Sequence, residues 1–299
     1  MMSRFVNLLL AIAGAFAGTA HGQALVLKDG SRIPAAEFNV EDGKIVRTVK
    51  IGDRSATTVL QKSNIASLDW PMPVELADAK ALMSQGKPEE AVAALKKGRD
   101  FFEIFQDIKG NWYAEMFFAY VEALSQAGQF EETVKMIPQV KLLPLSDEQK
   151  MKLRVIQLDI DRQTSSEYVS ILAEADSILA DTNDSAVAAA IWSIIADIHA
   201  KKKEWEKALM AYLRIPVFYG TQIQRVPDAE MKAAQMLVKM KRYEDAQATF
   251  TRLAETYAGS TIAEAALKEK AAINGMKNEP EEEPAAEAPA EAAKTDSKS

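Results

Sequence analysis

Between Pro73 and Asn274 apolar residues recur at three- and four-residue spacing, and the runs are cut at Gly86-Lys87-Pro88, Gly128-Gln129 and Lys203-Glu204. Such spacing places one apolar stripe along each helix, and breaks this short force successive helices to run antiparallel. Few folds survive that pair of constraints. The segment "WSIIADIHAKKKEWEKALMAY", residues 192–212, gathers two tryptophans, a histidine and three consecutive lysines. It poses the main functional question: a chemical site, or one unit of a helical scaffold.

The spacing favours the scaffold. Trp192, Ile195, Ala196, His199, Trp205, Ala208, Tyr212 and Ile215 resemble positions 4, 7, 8, 11, 17, 20, 24 and 27 of the tetratricopeptide repeat (TPR), a helix–turn–helix of about 34 residues. Small residues at 8 and 20 let the two backbones approach where the helices cross. The next unit places Ala233, Ala234, Leu237, Tyr243, Ala246, Phe250 and Leu253 at 7, 8, 11, 17, 20, 24 and 27, with the extra residues falling around Gly220-Thr221-Gln222. Tyr120, Leu124, Gly128, Phe130, Thr133, Ile137 and Val140 match at 7, 11, 15, 17, 20, 24 and 27, with Val121 at 8; Thr133 and Val121 imply a looser crossing. A shortened first unit has Ala79, Leu82, Gly86, Ala91 and Leu95 at 8, 11, 15, 20 and 24. A further helix pair is expected over 147–181 without a residue-level match, and a helix over 261–273 closes the series. "AETYAGSTIAEAAL" resembles the repeat ends of exported bacterial TPR proteins, including outer-membrane assembly and cell-envelope coordinator families.

Residues 23–70 have a different texture. ALVLK, SRIPA, EFNVE, KIVRTVKI and ATTVLQ are separated by Asp29-Gly30, Asp42-Gly43 and Gly52-Asp53, which are hairpin signals. A small five-stranded barrel or curled sheet is predicted, resembling SH3-like or Sm-like barrels. Trp70-Pro71-Met72-Pro73 ends it. The fold class is thus α+β in separate domains: a small β-barrel-like domain over 23–70, then a mainly all-α, TPR-like superhelical solenoid over 74–274. Residues 275–299, rich in Ala, Glu and Pro and lacking aromatic or branched aliphatic residues, are predicted to be a disordered tail.

The N-terminus carries Arg4, an apolar run from Phe5 to Ala17 and small residues up to Ala20-His21-Gly22. That run is too short for a membrane span of about 20 residues, so 1–22 is predicted to be a signal peptide, with a retained anchor as the alternative. The expected product is periplasmic or secreted and keeps no integral membrane span. Loss of Arg4 moves the net charge from −7 to −8, so nothing in the charge attracts nucleic acid.

The sequence contains no cysteine, which excludes disulfides, thiol catalysis and thiolate metal sites. His21 leaves with the signal peptide, and a lone His199 cannot build a metal shell. No nucleophile elbow, phosphate loop, zincin helix or dinucleotide turn occurs, and EDGK and DTNDS lack calcium-loop spacing. Glu89-Glu90, Glu131-Glu132 and Glu204/Glu206 sit where acids favour a helix N-terminus. No cofactor and no enzyme activity are expected.

The resemblance implies a scaffold that binds a protein or peptide in the concave groove formed by the first helices. Carried onto this sequence, the groove positions are Phe118 and Glu122, then Ser193, Asp197 and Lys201, then Met231, Gln235 and Lys239. The asparagine-and-lysine clamp that some TPR proteins use for a C-terminal carboxylate is absent, since Ser193 and Asp197 stand at key places. The alternative is a glycan-binding or enzyme-accessory protein working through its β domain.

Overall fold

The computed structural model describes residues 22–51 and 54–278, with six β-strands followed by eleven α-helices. The strands are β1 (Ala24–Leu27), β2 (Arg32–Pro34), β3 (Phe38–Glu41), β4 (Lys44–Ile51), β5 (Arg54–Leu60) and β6 (Ile65–Asp69). They pair antiparallel into two three-stranded sheets, ordered β2-β1-β6 and β3-β4-β5. The expected five strands are thus corrected to six, arranged in two sheets. The sixth strand returns to β1, setting Leu68 opposite Leu25, and pairing across the whole domain leaves no trace in local periodicity. At the β3–β4 turn Asp42 and Gly43 both have positive φ, +50° and +69°, as a type I′ hairpin requires. The Gly52-Asp53 turn, residues 1–21 of the expected signal peptide and residues 279–299 of the expected tail lie outside the described residues.

The chain divides into two compact units, one ending at Leu153 and one beginning at Arg154. The first holds both sheets together with α1 (Val74–Ser84), α2 (Pro88–Glu103), α3 (Tyr113–Gln126) and α4 (Phe130–Val140). The composition change at Trp70-Pro73 falls inside the first unit, where the sheets and α2 are held together. Aromatic packing is the reason. The Trp70 ring lies 5.5 Å from Phe101 and 5.6 Å from Phe102, and Phe38 of β3 meets Trp70 at 6.3 Å and Phe105 at 6.4 Å. Trp112 Nε1 donates to the Trp70 carbonyl at 2.9 Å. The loop after α2 also closes the outer edge of β6, where Leu68 N–H donates to the Lys109 carbonyl at 2.8 Å. Only glycine fits the next position: Gly110 has φ +81°, and a Cβ there would lie 2.3 Å from the Leu68 carbonyl oxygen.

The division falls within α5 (Asp147–Thr164). The second unit continues with α6 (Tyr168–Asp181), α7 (Ser185–Lys201), α8 (Trp205–Phe218), α9 (Val226–Lys239), α10 (Tyr243–Thr256) and α11 (Thr261–Ala272). Consecutive helices from α6 to α11 pack on one another.

The turn between paired helices recurs in detail. Gly86, Gly128, Lys203 and Lys241 occupy the same place in their repeats, and all four adopt left-handed backbone, with φ of +73°, +69°, +61° and +59°. The following N–H reaches back to the carbonyl of Leu82, Leu124, His199 or Leu237, at 2.9 Å each time. This is the Schellman closure, which satisfies carbonyls that a helix end would otherwise orphan. The α5–α6 pair is built differently: Ser165 N–H bonds the Asp161 carbonyl at 2.8 Å, and no residue of its turn has positive φ. That departure explains why 147–181 resists a residue-level match.

The expected crossing positions are fully buried. Ala79, Ala91, Val121, Thr133, Ala196, Ala208, Ala234 and Ala246 are all 0% exposed. Thr133 is accommodated because its hydroxyl donates to the Gln129 carbonyl at 2.9 Å, which removes the cost of burying it.

Candidate functional site

The positions expected to face a groove lie on the first helix of each pair. In the first unit α3 carries Phe118 and Glu122. In the second unit α7 carries Ser193, Asp197 and Lys201, and α9 carries Met231, Gln235 and Lys239. The four-residue spacing within each set puts its members along one side of its helix.

Two of the eight are corrected outright. Phe118 is 5% exposed and Met231 is 6% exposed, so both belong to the core and offer no surface to a partner. One helical position is about 100° of rotation, and each of these falls on the inner side of its helix. Glu122 is half-buried, and burial pushes its carboxyl above the usual carboxylate range.

Asp197 is the hub of a polar network in the second unit. Its side chain is 16% exposed. Arg162 Nη1 of α5 meets Oδ2 at 2.9 Å, Lys232 Nζ of α9 meets Oδ1 at 3.3 Å, and the Tyr212 hydroxyl of α8 donates to Oδ1. Lys232 also pairs with Asp228 at 3.2 Å, and Arg162 with Asp159 at 2.6 Å. Burial pushes the Tyr212 hydroxyl upward and the Asp197 carboxylate reinforces this, so the phenol stays protonated and donates. Burial works against the Lys232 ammonium, but Asp197 and Asp228 outweigh it and hold it charged. Two cations, Arg162 and Lys232, meet three carboxylates, Asp159, Asp197 and Asp228, and both Asp197 oxygens are engaged. It fastens α5, α7, α8 and α9 together.

Lys201 is also occupied. Its Nζ donates at 2.6 Å to the carbonyl of Arg162, in the last turn of α5, where an intrahelical donor is missing. Gln235 Nε2 donates to Glu269 Oε1 of α11 at 3.0 Å. Ser193 is half-buried and Lys239 is exposed. The eight positions thus resolve into two core residues, one half-buried acid, three structural ties and two residues with room to meet a ligand.

Sequence reasoning missed Arg162, Lys232 and the Tyr212 hydroxyl as members of this face. Asp228 and Lys232, four residues apart on one helix, were the available signal. It also missed Glu230, which takes the repeat position held by Trp192 in the preceding unit. Glu230 is buried and its Oε1 accepts from Arg252 at 2.7 Å.

His199, the chemical candidate of residues 192–212, is half-buried with Nδ1 2.6 Å from Glu204 Oε2. Glu204 also meets Lys202 at 2.8 Å and Lys207 at 3.6 Å. The cluster locks the turn between α7 and α8. Among the described residues no group of three or more His, Cys, Asp or Glu could hold a metal ion, and no helix is long and apolar enough to cross a membrane.

The sequence model of the tetratricopeptide repeat family matches residues 228–260, which cover α9 from its third residue, all of α10 and the turn before α11. No curated protein matches the chain. At the level set by this match and the recurring turns, the helical part is a TPR-like repeat series, a type of protein–protein interaction module.

Proposed function

We propose that this protein is a non-enzymatic adaptor of the bacterial cell envelope that holds an extended protein or peptide against the first helices of its repeats. The observation that carries the reading is the state of the α7 and α9 faces. Part-buried ties to Arg162, Tyr212, Lys232 and Glu269 hold these faces in place, and Ser193 and Lys239 remain beside them with room for a ligand. A preformed polar surface of this kind suits recognition, because little ordering entropy is lost on binding. The signal-like N-terminus supports the envelope assignment.

Asp197 is a poor residue with which to test the reading, since charge reversal there would leave Arg162 and Lys232 unpaired. Site-specific photo-crosslinking avoids this. A photoreactive amino acid is placed at Ser193 or Lys239, with exposed Ala248 on the second helix of the last pair as the control. Adducts to one protein from Ser193 and Lys239 but not from Ala248 are expected. Equal adducts from all three positions, or none from the first two, would refute the groove reading.

A further inference from the structure

The two sheets of the first unit have four outer edges, and three of them are blunted. β2 is three residues long and ends in Pro34, which has no N–H to donate. β6 is covered by the Lys109 carbonyl. β3 is four residues long and ends in Glu41. The fourth edge, on β5, is different. It runs for seven residues, Arg54–Leu60, contains no proline and no acid, and is exposed throughout except at half-buried Leu60. β4 pairs along its whole inner side, from Ile51–Arg54 to Ile45–Leu60, and among the described residues no strand lies beyond it. Thr57, Thr58 and Val59 are strong strand formers, so the edge is fixed in an extended shape and ready for pairing.

Charge states what fits. The described residues of β4 and β5 include Lys44, Arg47, Lys50 and Arg54 and no carboxylate. Arg47 is paired with Glu37 at 2.8 Å, whereas Lys44, Lys50 and Arg54 are exposed. Lys44 and Lys50 fall on the same face of β4, because side chains alternate along a strand. That face continues on β5 through Val59, Thr57 and Ser55, which stand opposite Val46, Thr48 and Lys50. Ser55 is small, so the Lys50 ammonium has room to reach over it toward a neighbouring strand about 5 Å further out. A second copy is disfavoured, since edge-to-edge pairing would bring two basic hairpins together.

We propose that the outer edge of β5 is a docking edge for an extended acidic segment of another protein, added as a fourth strand. Main-chain hydrogen bonds to β5 supply the binding. Acids near the two ends of the segment, on the face of Lys44 and Lys50, supply the selectivity. This site lies in the first unit and stands independently of the groove reading.

The test uses the full chain and two synthetic peptides, acetyl-Glu-Thr-Val-Thr-Val-Thr-Glu-amide and the same peptide with both glutamates replaced by lysine. Hydrogen exchange should slow at residues 54–60 with the acidic peptide, and the lysine peptide should bind about tenfold more weakly or worse. The Lys44→Glu/Lys50→Glu variant alters only exposed positions on that face and should reverse the preference. Ala56→Pro and Thr57→Pro supply a second readout. Adjacent N–H groups point to opposite sides of a strand, so one variant should fold normally and lose the peptide. Absence of protection at 54–60 at millimolar acidic peptide would overturn the proposal. So would equal binding of the two peptides, or protection of β5 that rises with protein concentration alone, which would indicate a second copy.

Discussion

His199 looks chemical in the sequence, yet with Glu204 it acts as a fastener in the fold. Lys202 donates to Glu204 most strongly, with His199 next and Lys207 nearby, and together they draw its carboxyl from 4.5 down to about 2. A carboxyl depressed on folding contributes stability above its unfolded range and loses that contribution as pH falls through the folded value. Glu204→Gln should therefore lower the melting temperature at neutral pH. The deficit should shrink between about pH 4.5 and about pH 2, where the wild-type carboxylate takes up its proton. Melting curves of both proteins across that interval check this, and a deficit constant down to pH 2 would show that the carboxylate charge is not its source.

At the scale of elements, the four Schellman turns show one backbone solution reached by two kinds of residue. Gly86 and Gly128 adopt the left-handed conformation freely, whereas Lys203 and Lys241 carry a Cβ into it. The conformation costs a non-glycine residue about 1–2 kcal/mol, and a new glycine returns about 0.4–1 kcal/mol of that to the unfolded chain. Lys203→Gly should accordingly stabilise the protein by up to about 1 kcal/mol in urea denaturation. Ala208→Leu should act in the opposite sense, destabilising by about 1–3 kcal/mol, because Ala208 is fully buried at a helix crossing with no room for three more carbons. Wild-type stability in both variants would mean that neither the turn nor the crossing is as close as described.

For the whole molecule, the last described tie is Asn278, whose Oδ1 accepts the Glu244 N–H at 2.9 Å in the first turn of α10. That donor has no intrahelical partner, so Asn278 has a structural role. The following residues, 279–299, are Ala, Glu and Pro with a few Lys, Ser, Thr and Asp, and contain no aromatic or branched aliphatic side chain. A chain ending at Asn278 should melt within about 1 °C of the full chain, and one ending at Met276 should melt lower. Calorimetry of both truncations decides it. A large loss on removing only 279–299 would show that this segment packs on the body.

The sequence by itself determined the helix series, the turn positions and the small residues at the crossings. Each of these is a local requirement that recurs from repeat to repeat outside the α5–α6 pair: 3.6-residue periodicity, a left-handed residue after the helix, and at most crossings a small side chain where backbones meet. It also marked Asp42-Gly43 as a turn, for the same local reason. Only the tertiary structure decided that β6 returns to β1, that Phe38, Trp70 and Phe101 join the sheets to α2, and that Asp197 is held by Arg162, Tyr212 and Lys232 from three other helices. The same holds for Phe118 and Met231. A groove position and a core position can be neighbours on one helix, and which of them faces solvent depends on the packing of other helices.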